Sequence, residues 1–131
     1  MGQLQAAQGA GKEAGEVTGD AKMALTRDFK KTVQARAKRD PAFARALLDE
    51  AVTLFLNGEP ETAKRVLRDL VNATVGFESL ADEIGRPSKS LHRMLSPSGN
   101  PTMENLSAIL RALGRKLRLR ISARIVPARR P

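Results

Sequence analysis

The chain has 131 residues, 41% of them hydrophobic, which suffices for one modest core and not for two. With no Cys and one His it excludes a zinc finger, a disulfide scaffold, a Cys nucleophile and a His-rich metal site, so neither metal nor cofactor is expected. Lys and Arg number 23 against 14 Asp and Glu, and the formal charge of +9 directs attention to a polyanionic partner.

Residues 1–25 read as a disordered extension, because Gly2, Gly9, Gly11, Gly15 and Gly19 interrupt every helical stripe and little beyond Leu4 and Val17 is apolar and sizeable. Gly9-Ala10-Gly11-Lys12 is not a phosphate loop: Ala6 stands at the first Gly position, Glu13 replaces the Ser or Thr, and no strand precedes it. Met23, followed by a better patterned segment, is a candidate internal start. Residues 26–57 read as two N-terminal helices. The first starts at Thr26, with Phe29 and Val33 four apart and Arg36, Lys38 and Arg39 at its C-terminal end. Asp40-Pro41 then supplies an N-cap and a first-turn Pro. Phe43, Leu47, Leu48, Ala51, Val52 and Phe55 share one face until Asn57-Gly58.

Residues 58–114 read as the binding domain. A third helix from Pro60 or Glu61 aligns Ala63, Val66, Leu67, Leu70, Val71 and Thr74, with Gly76 as its left-handed C-terminal residue. Two short helices follow, Glu78 to Ile84 and Ser88 to Leu95, which must lean on longer neighbours. The turn formers from Ser96 to Pro101 lead to Thr102, the cap of a helix with Met103, Leu106, Ile109, Leu110 and Leu113 inside, ending at Gly114.

From residue 115 the period changes from 3.6 to 2. Leu117, Leu119, Ile121, Ala123 and Ile125 alternate with Lys116, Arg118, Arg120, Ser122 and Arg124, predicting one β-strand over residues 115–126 and a basic tail over 127–131. A lone strand exposes a row of backbone donors and acceptors. The simplest partner is the same strand of a second copy, giving a homodimer joined by an antiparallel ribbon with Leu117, Leu119, Ile121 and Ile125 in the interface; a different protein is the other way to cover that edge.

Charge follows the same division. Residues 1–85 hold 12 basic and 13 acidic side chains, a net of −1, while residues 86–131 hold 11 basic and one acidic, a net of +10. Arg111, Arg115, Lys116, Arg118, Arg120, Arg124, Arg129 and Arg130 meet no acid after Glu104 in the sequence. This is either an electrostatic footprint or a solvated end that maintains solubility.

Between Leu80 and Met94 the spacing is that of a DNA-binding helix-turn-helix. Ala81 is small where two helices cross, Gly85 takes the positive φ of the turn, and Leu80, Ile84, Leu91 and Met94 point inward. The second helix would then offer Ser88, Lys89, Ser90, His92 and Arg93 to the major groove, with Arg86 in the turn beside it. Asn100 and Thr102 are placed to hold phosphate. An ordinary helical hairpin that only packs is the alternative, and His92 reads equally as a solvated imidazole.

The stretches from Gly76 to Gly85, from Ser90 to Ser96, Gly99-Asn100-Pro101-Thr102 and Ala112-Leu113-Gly114 resemble the HigA-like group of XRE-type helix-turn-helix proteins, described as addiction-module antidotes or prophage DNA-binding proteins. Asp40-Pro41 through Leu47 and Asn57-Gly58-Glu59-Pro60 extend the resemblance over roughly residues 40–121. It implies an all-α, lambda-repressor-like bundle that binds a palindromic double-stranded DNA operator, often in its own promoter, as a homodimer. In many members it also implies an antitoxin masking an RNA-cleaving RelE-like or HigB-like toxin. Two departures stand out. Pro87 occupies the usual Ser or Thr cap position, which shifts the cap to Ser88, and the basic strand with Arg129-Arg130 outlasts the group's short ending.

Adjacent carboxylates such as Asp49-Glu50 and Asp82-Glu83 diverge on a helix and make no acid and base pair, so an enzyme is not expected. The rivals to an autorepressor are a toxin-masking module using Phe29 and Val33 or the strand edge, and a stand-alone prophage-type repressor. A membrane-surface role fits less well, since the basic residues alternate as in a strand. With no apolar run near the roughly 20 residues of a bilayer span and no signal-peptide order at the N-terminus, a soluble cytoplasmic protein is expected.

Overall fold

A computed structural model describes residues 19–129, with side chains from Phe29 onward. Six α-helices are present among them: α1 Gly19–Arg39, α2 Pro41–Leu56, α3 Pro60–Ala73, α4 Phe77–Ile84, α5 Ser88–Met94 and α6 Met103–Lys116. The protein is mostly helical, and no described helix is long and apolar enough to cross a membrane. The extension expected over residues 1–25 lies outside the described residues up to Thr18, as does the rejected phosphate loop. From Gly19 onward the expectation is corrected, because α1 begins there and not at Thr26. Ala21-Lys22-Met23-Ala24-Leu25 is a run of strong helix formers, and propensity extends the helix past its apolar stripe.

The N-terminal helices meet at one residue. Asp40 accepts the N–H groups of Ala42 and Phe43 at 3.1 and 3.3 Å, capping α2 while Pro41 enters its first turn. The Arg36 guanidinium lies 3.6 Å from the Asp40 carboxylate and 4.4 Å from the centre of the Phe43 ring, so the end of α1 is held over the start of α2. Asp69 on α3 receives Lys30 at 3.5 Å and the Gln34 amide at 3.3 Å, tying α1 to α3.

One core gathers the remaining helices. Leu67, Leu70 and Val71 of α3 pack with Ala44, Leu48 and Ala51 of α2, Phe77, Leu80 and Ala81 of α4, Leu91 and Leu95 at α5, and Ile109, Ala112 and Leu113 of α6. Each fully buried Leu or Ile contributes about 1.5–3 kcal/mol, which is how two-turn helices persist here. Met103 is the exception to the predicted inner face of α6. It is 77% exposed because it opens the helix, well around the surface from Ile109 and Leu113. Gly76 has the predicted positive φ, but with ψ 152 it is the N-cap of α4 and not a left-handed C-terminal residue; its N–H donates to the Val71 carbonyl at 2.8 Å.

The C-terminal expectation is corrected most. α6 continues through Gly114 to Lys116, and Arg118 takes φ 59 while the Arg118 and Leu119 N–H groups bond the Arg115 and Gly114 carbonyls at 3.1 and 2.7 Å. Gly114 is needed for close backbone approach, since a Cβ there would lie 2.9 Å from the Leu119 carbonyl oxygen. Residues 119–129 form no strand, there being no ladder partner among the described residues. Leu117 and Leu119 pack on their own core, whereas Ile121 and Ile125 stay exposed. Leu119, Arg120, Ile121 and Ser122 run beside α2, lining with Ala42, Ala46 and Val52 a groove of about 530 Å³.

Candidate nucleic-acid interface

α4 and α5 are joined by Gly85-Arg86-Pro87. Gly85 sits at φ 79, ψ 33, the left-handed well a side chain disfavours, and its N–H and that of Arg86 converge on the Ala81 carbonyl at 2.8 and 3.2 Å. Leu80, Ala81 and Leu91 are buried, with Ile84 and Met94 half-buried against the same cluster. One face of α5 is thereby committed to the core. Its cap does not shift to Ser88. Pro87 is the N-cap residue without a side-chain bond, and the Ser88 hydroxyl instead donates to the Glu78 carboxylate at 2.9 Å. A Ser already inside the helix has a better acceptor on the neighbouring helix than a capping role to fill.

Lys89, His92 and Arg93 are exposed on the outward side of α5, and Arg86 is exposed in the turn. Among the described residues none of Arg86, Lys89 and Arg93 has a carboxylate partner. Ser88 and Ser90 are half-buried. The His92 ring stacks on Phe77 with centroids 3.9 Å apart and planes at 26°, so one face is packed while the residue stays exposed. Asn100 and Thr102 are exposed in the following loop. Thr102 Oγ1 accepts the Asn105 N–H at 3.1 Å, capping α6 and leaving the hydroxyl proton free to donate. Gly99 brings this loop to α5, because a Cβ there would meet the Arg93 and Met94 carbonyl oxygens.

Three contributors escaped the sequence reading. Lys64, 4% exposed on α3, donates to the Pro97 carbonyl at 3.3 Å and to the Gly99 carbonyl. Arg68, one turn on, donates to the Leu95 carbonyl at 2.7 Å. Glu83 of α4 reaches Arg115 at 3.4 Å and Lys116 at 4.0 Å, so two cations that meet no acid in their own stretch of sequence share one carboxylate once the chain folds. The available signal was the placement of Lys64 between Ala63 and Leu67, at the border of an apolar stripe. Arg111, Arg118, Arg120, Arg124 and Arg129 remain exposed, and Arg130 lies outside the described residues.

Among the described residues no group of three His, Asp or Glu side chains is arranged to hold a metal ion. Against known proteins, no family model, curated protein or solved structure matches this chain.

Proposed function

We propose that this chain is a sequence-specific DNA-binding transcriptional regulator, an antitoxin-type autorepressor that reads a palindromic operator as a homodimer. The observation that carries this role is α5 itself, a seven-residue helix pinned on the core by Leu91 and Met94 while its opposite side offers Lys89 and Arg93, exposed and with no carboxylate partner among the described residues. With α4 and the Gly85 turn it forms the helix-turn-helix of a lambda-repressor-like bundle, the arrangement implied by the resemblance of the sequence motifs to the HigA-like group. In this role Lys89 and Arg93 reach guanine edges in the major groove, with Ser90 and His92 beside them. Arg86, Asn100 and Thr102 hold phosphates and set the register. Ser88, engaged with Glu78, contributes less than its position in sequence suggests.

The homodimer pairs the tail of one chain with that of another in an antiparallel ribbon. Since Leu117 and Leu119 are engaged in their own core, the seam lies further on, at Ile121 and Ile125. Two half-sites about 34 Å apart, or a multiple, follow from two copies of α5 on one duplex face. The test is fluorescence anisotropy on duplexes from the chain's own upstream region. Lys89→Ala with Arg93→Ala should lower specific affinity by roughly tenfold to a hundredfold for each guanine edge no longer read, with helical circular dichroism intact. Unchanged specific binding would move readout elsewhere.

A toxin-masking role is the second reading, favoured by Ile125 at 96% and Val126 at 65% exposure between arginines, an apolar and cationic strip suited to a protein partner. Co-expression with a RelE-like toxin and measurement of its RNA cleavage separates the two, because a pure autorepressor leaves cleavage unchanged.

A further inference from the structure

We infer that Lys64 and Arg68 of α3 are positioning residues that orient α5 and the loop after it, and through that orientation set the discrimination between one duplex sequence and another. The inference rests on the DNA-binding role above and adds two side chains whose hydrogen bonds go to the protein itself.

α5 has seven residues and no side-chain N-cap, too little to hold its own geometry. The carbonyl at its C-cap lacks a partner within the helix, and α3 supplies one. Arg68 donates to the carbonyl of Leu95, the C-cap of α5. Lys64, one turn earlier on the same side of α3, holds the Pro97 and Gly99 carbonyls, with the Glu61 carboxylate 3.7 Å from its ammonium.

The loop is closed from its other side by α5. The Gly99 N–H donates to the Ser96 carbonyl at 3.0 Å, the Ser96 N–H and hydroxyl bond the Arg93 carbonyl at 3.2 and 2.8 Å, and a Cβ on Gly99 would lie 2.6 Å from the Met94 carbonyl oxygen. Residues 96–99 are thus wedged between the last turn of α5 and the two α3 cations, and Asn100 and Thr102 follow directly. Removing the Lys64 ammonium leaves the Pro97 and Gly99 carbonyls without the donor that ties them to α3, which frees the wedge to move. Lys89, Arg93, Asn100 and Thr102 would keep their charges and donors while losing their common frame.

Because Lys64 and Arg68 are spent on carbonyls, they release no counterions on DNA binding. Loosening them should reduce discrimination and leave the salt dependence alone, whereas removing a cation that touches phosphate lowers the salt slope by about one.

The experiment compares Lys64→Met, Arg68→Met and Arg68→Lys with the unmodified full chain. Anisotropy across a salt series measures affinity for the duplex that the chain selects from a random pool and for a scrambled duplex of equal length. Amide hydrogen exchange is followed at Ser96 and Gly99. Both Met variants should lower the specific-to-scrambled affinity ratio roughly tenfold with the salt slope unchanged, and Arg68→Lys should recover part of it. Ser96 and Gly99 amides should exchange faster while those of α2 do not. A retained ratio in both Met variants overturns the inference, and a slope reduced by a full charge overturns it too, since it would make these residues phosphate contacts. Unchanged exchange at Ser96 and Gly99 overturns the clamp whatever the DNA data show. If the unmodified chain has no duplex affinity, the DNA-binding role falls and the specificity claim with it, while the exchange comparison still decides whether α3 holds the loop. Should Lys64→Met fail to fold, the two Arg68 variants decide.

Discussion

Replacing Gly85 and Gly99 by Ala makes one chemical change at the two ends of α5, with two different physical costs. At Gly85 an added Cβ meets nothing within 4 Å, so the penalty is the left-handed backbone alone, about 1–2 kcal/mol. At Gly99 the Cβ would fall on the Arg93 carbonyl oxygen and 2.6 Å from that of Met94, both backbone atoms of a helix end that cannot swing away as a side chain does. Relief requires the loop to lift, giving up the Gly99 N–H bond to Ser96 and the Lys64 bond to the Gly99 carbonyl, at about 1 kcal/mol each. Overpacking strain adds roughly 1–3 kcal/mol, for a total of about 3–5 kcal/mol. Against the 5–15 kcal/mol typical of folded domains, Gly85→Ala should leave a stable protein with a melting point lower by roughly 4–8 °C, while Gly99→Ala removes about a fifth of the stability or more. Urea titration followed by far-ultraviolet circular dichroism, with midpoints compared at equal slope, measures both. An Asn at position 85 should recover part of the loss, because Asn tolerates the left-handed well. Were Gly99→Ala as mild as Gly85→Ala, the loop would not lie against α5 and the wedge described above would be wrong.

Asp40→Ala should destabilise the chain by about 1 kcal/mol in the same titration, through loss of the two cap bonds at the start of α2. Glu83→Gln should release Arg115 and Lys116, tightening binding to unrelated duplex DNA and steepening its salt dependence with helicity unchanged; no change in slope would mean these cations face away from the duplex. Ile121→Asp should convert a dimer to monomer in sedimentation velocity, and a persisting dimer would place the seam away from the tail.

Much of the helical order was legible in sequence because its signals act over three or four residues. Asp40-Pro41 starts α2, Gly58 ends it with φ 82, Gly85 turns the chain at φ 79, and Thr102 caps α6; each is a local match between side chain and backbone that needs no distant partner. The outward and inward sides of α5 follow equally from helical period, with Leu91 buried and Lys89 and Arg93 exposed. Tertiary structure alone decided what depends on groups far apart in the chain. Lys64 reaches Gly99 across 35 positions and Arg68 reaches Leu95 across 27, so nothing near either cation announces its acceptor. The alternating segment after Gly114 shows the same limit from the other side. Its period suits a strand, but a strand exists only where a second backbone accepts its hydrogen bonds, and within one chain Leu117 and Leu119 find the core first.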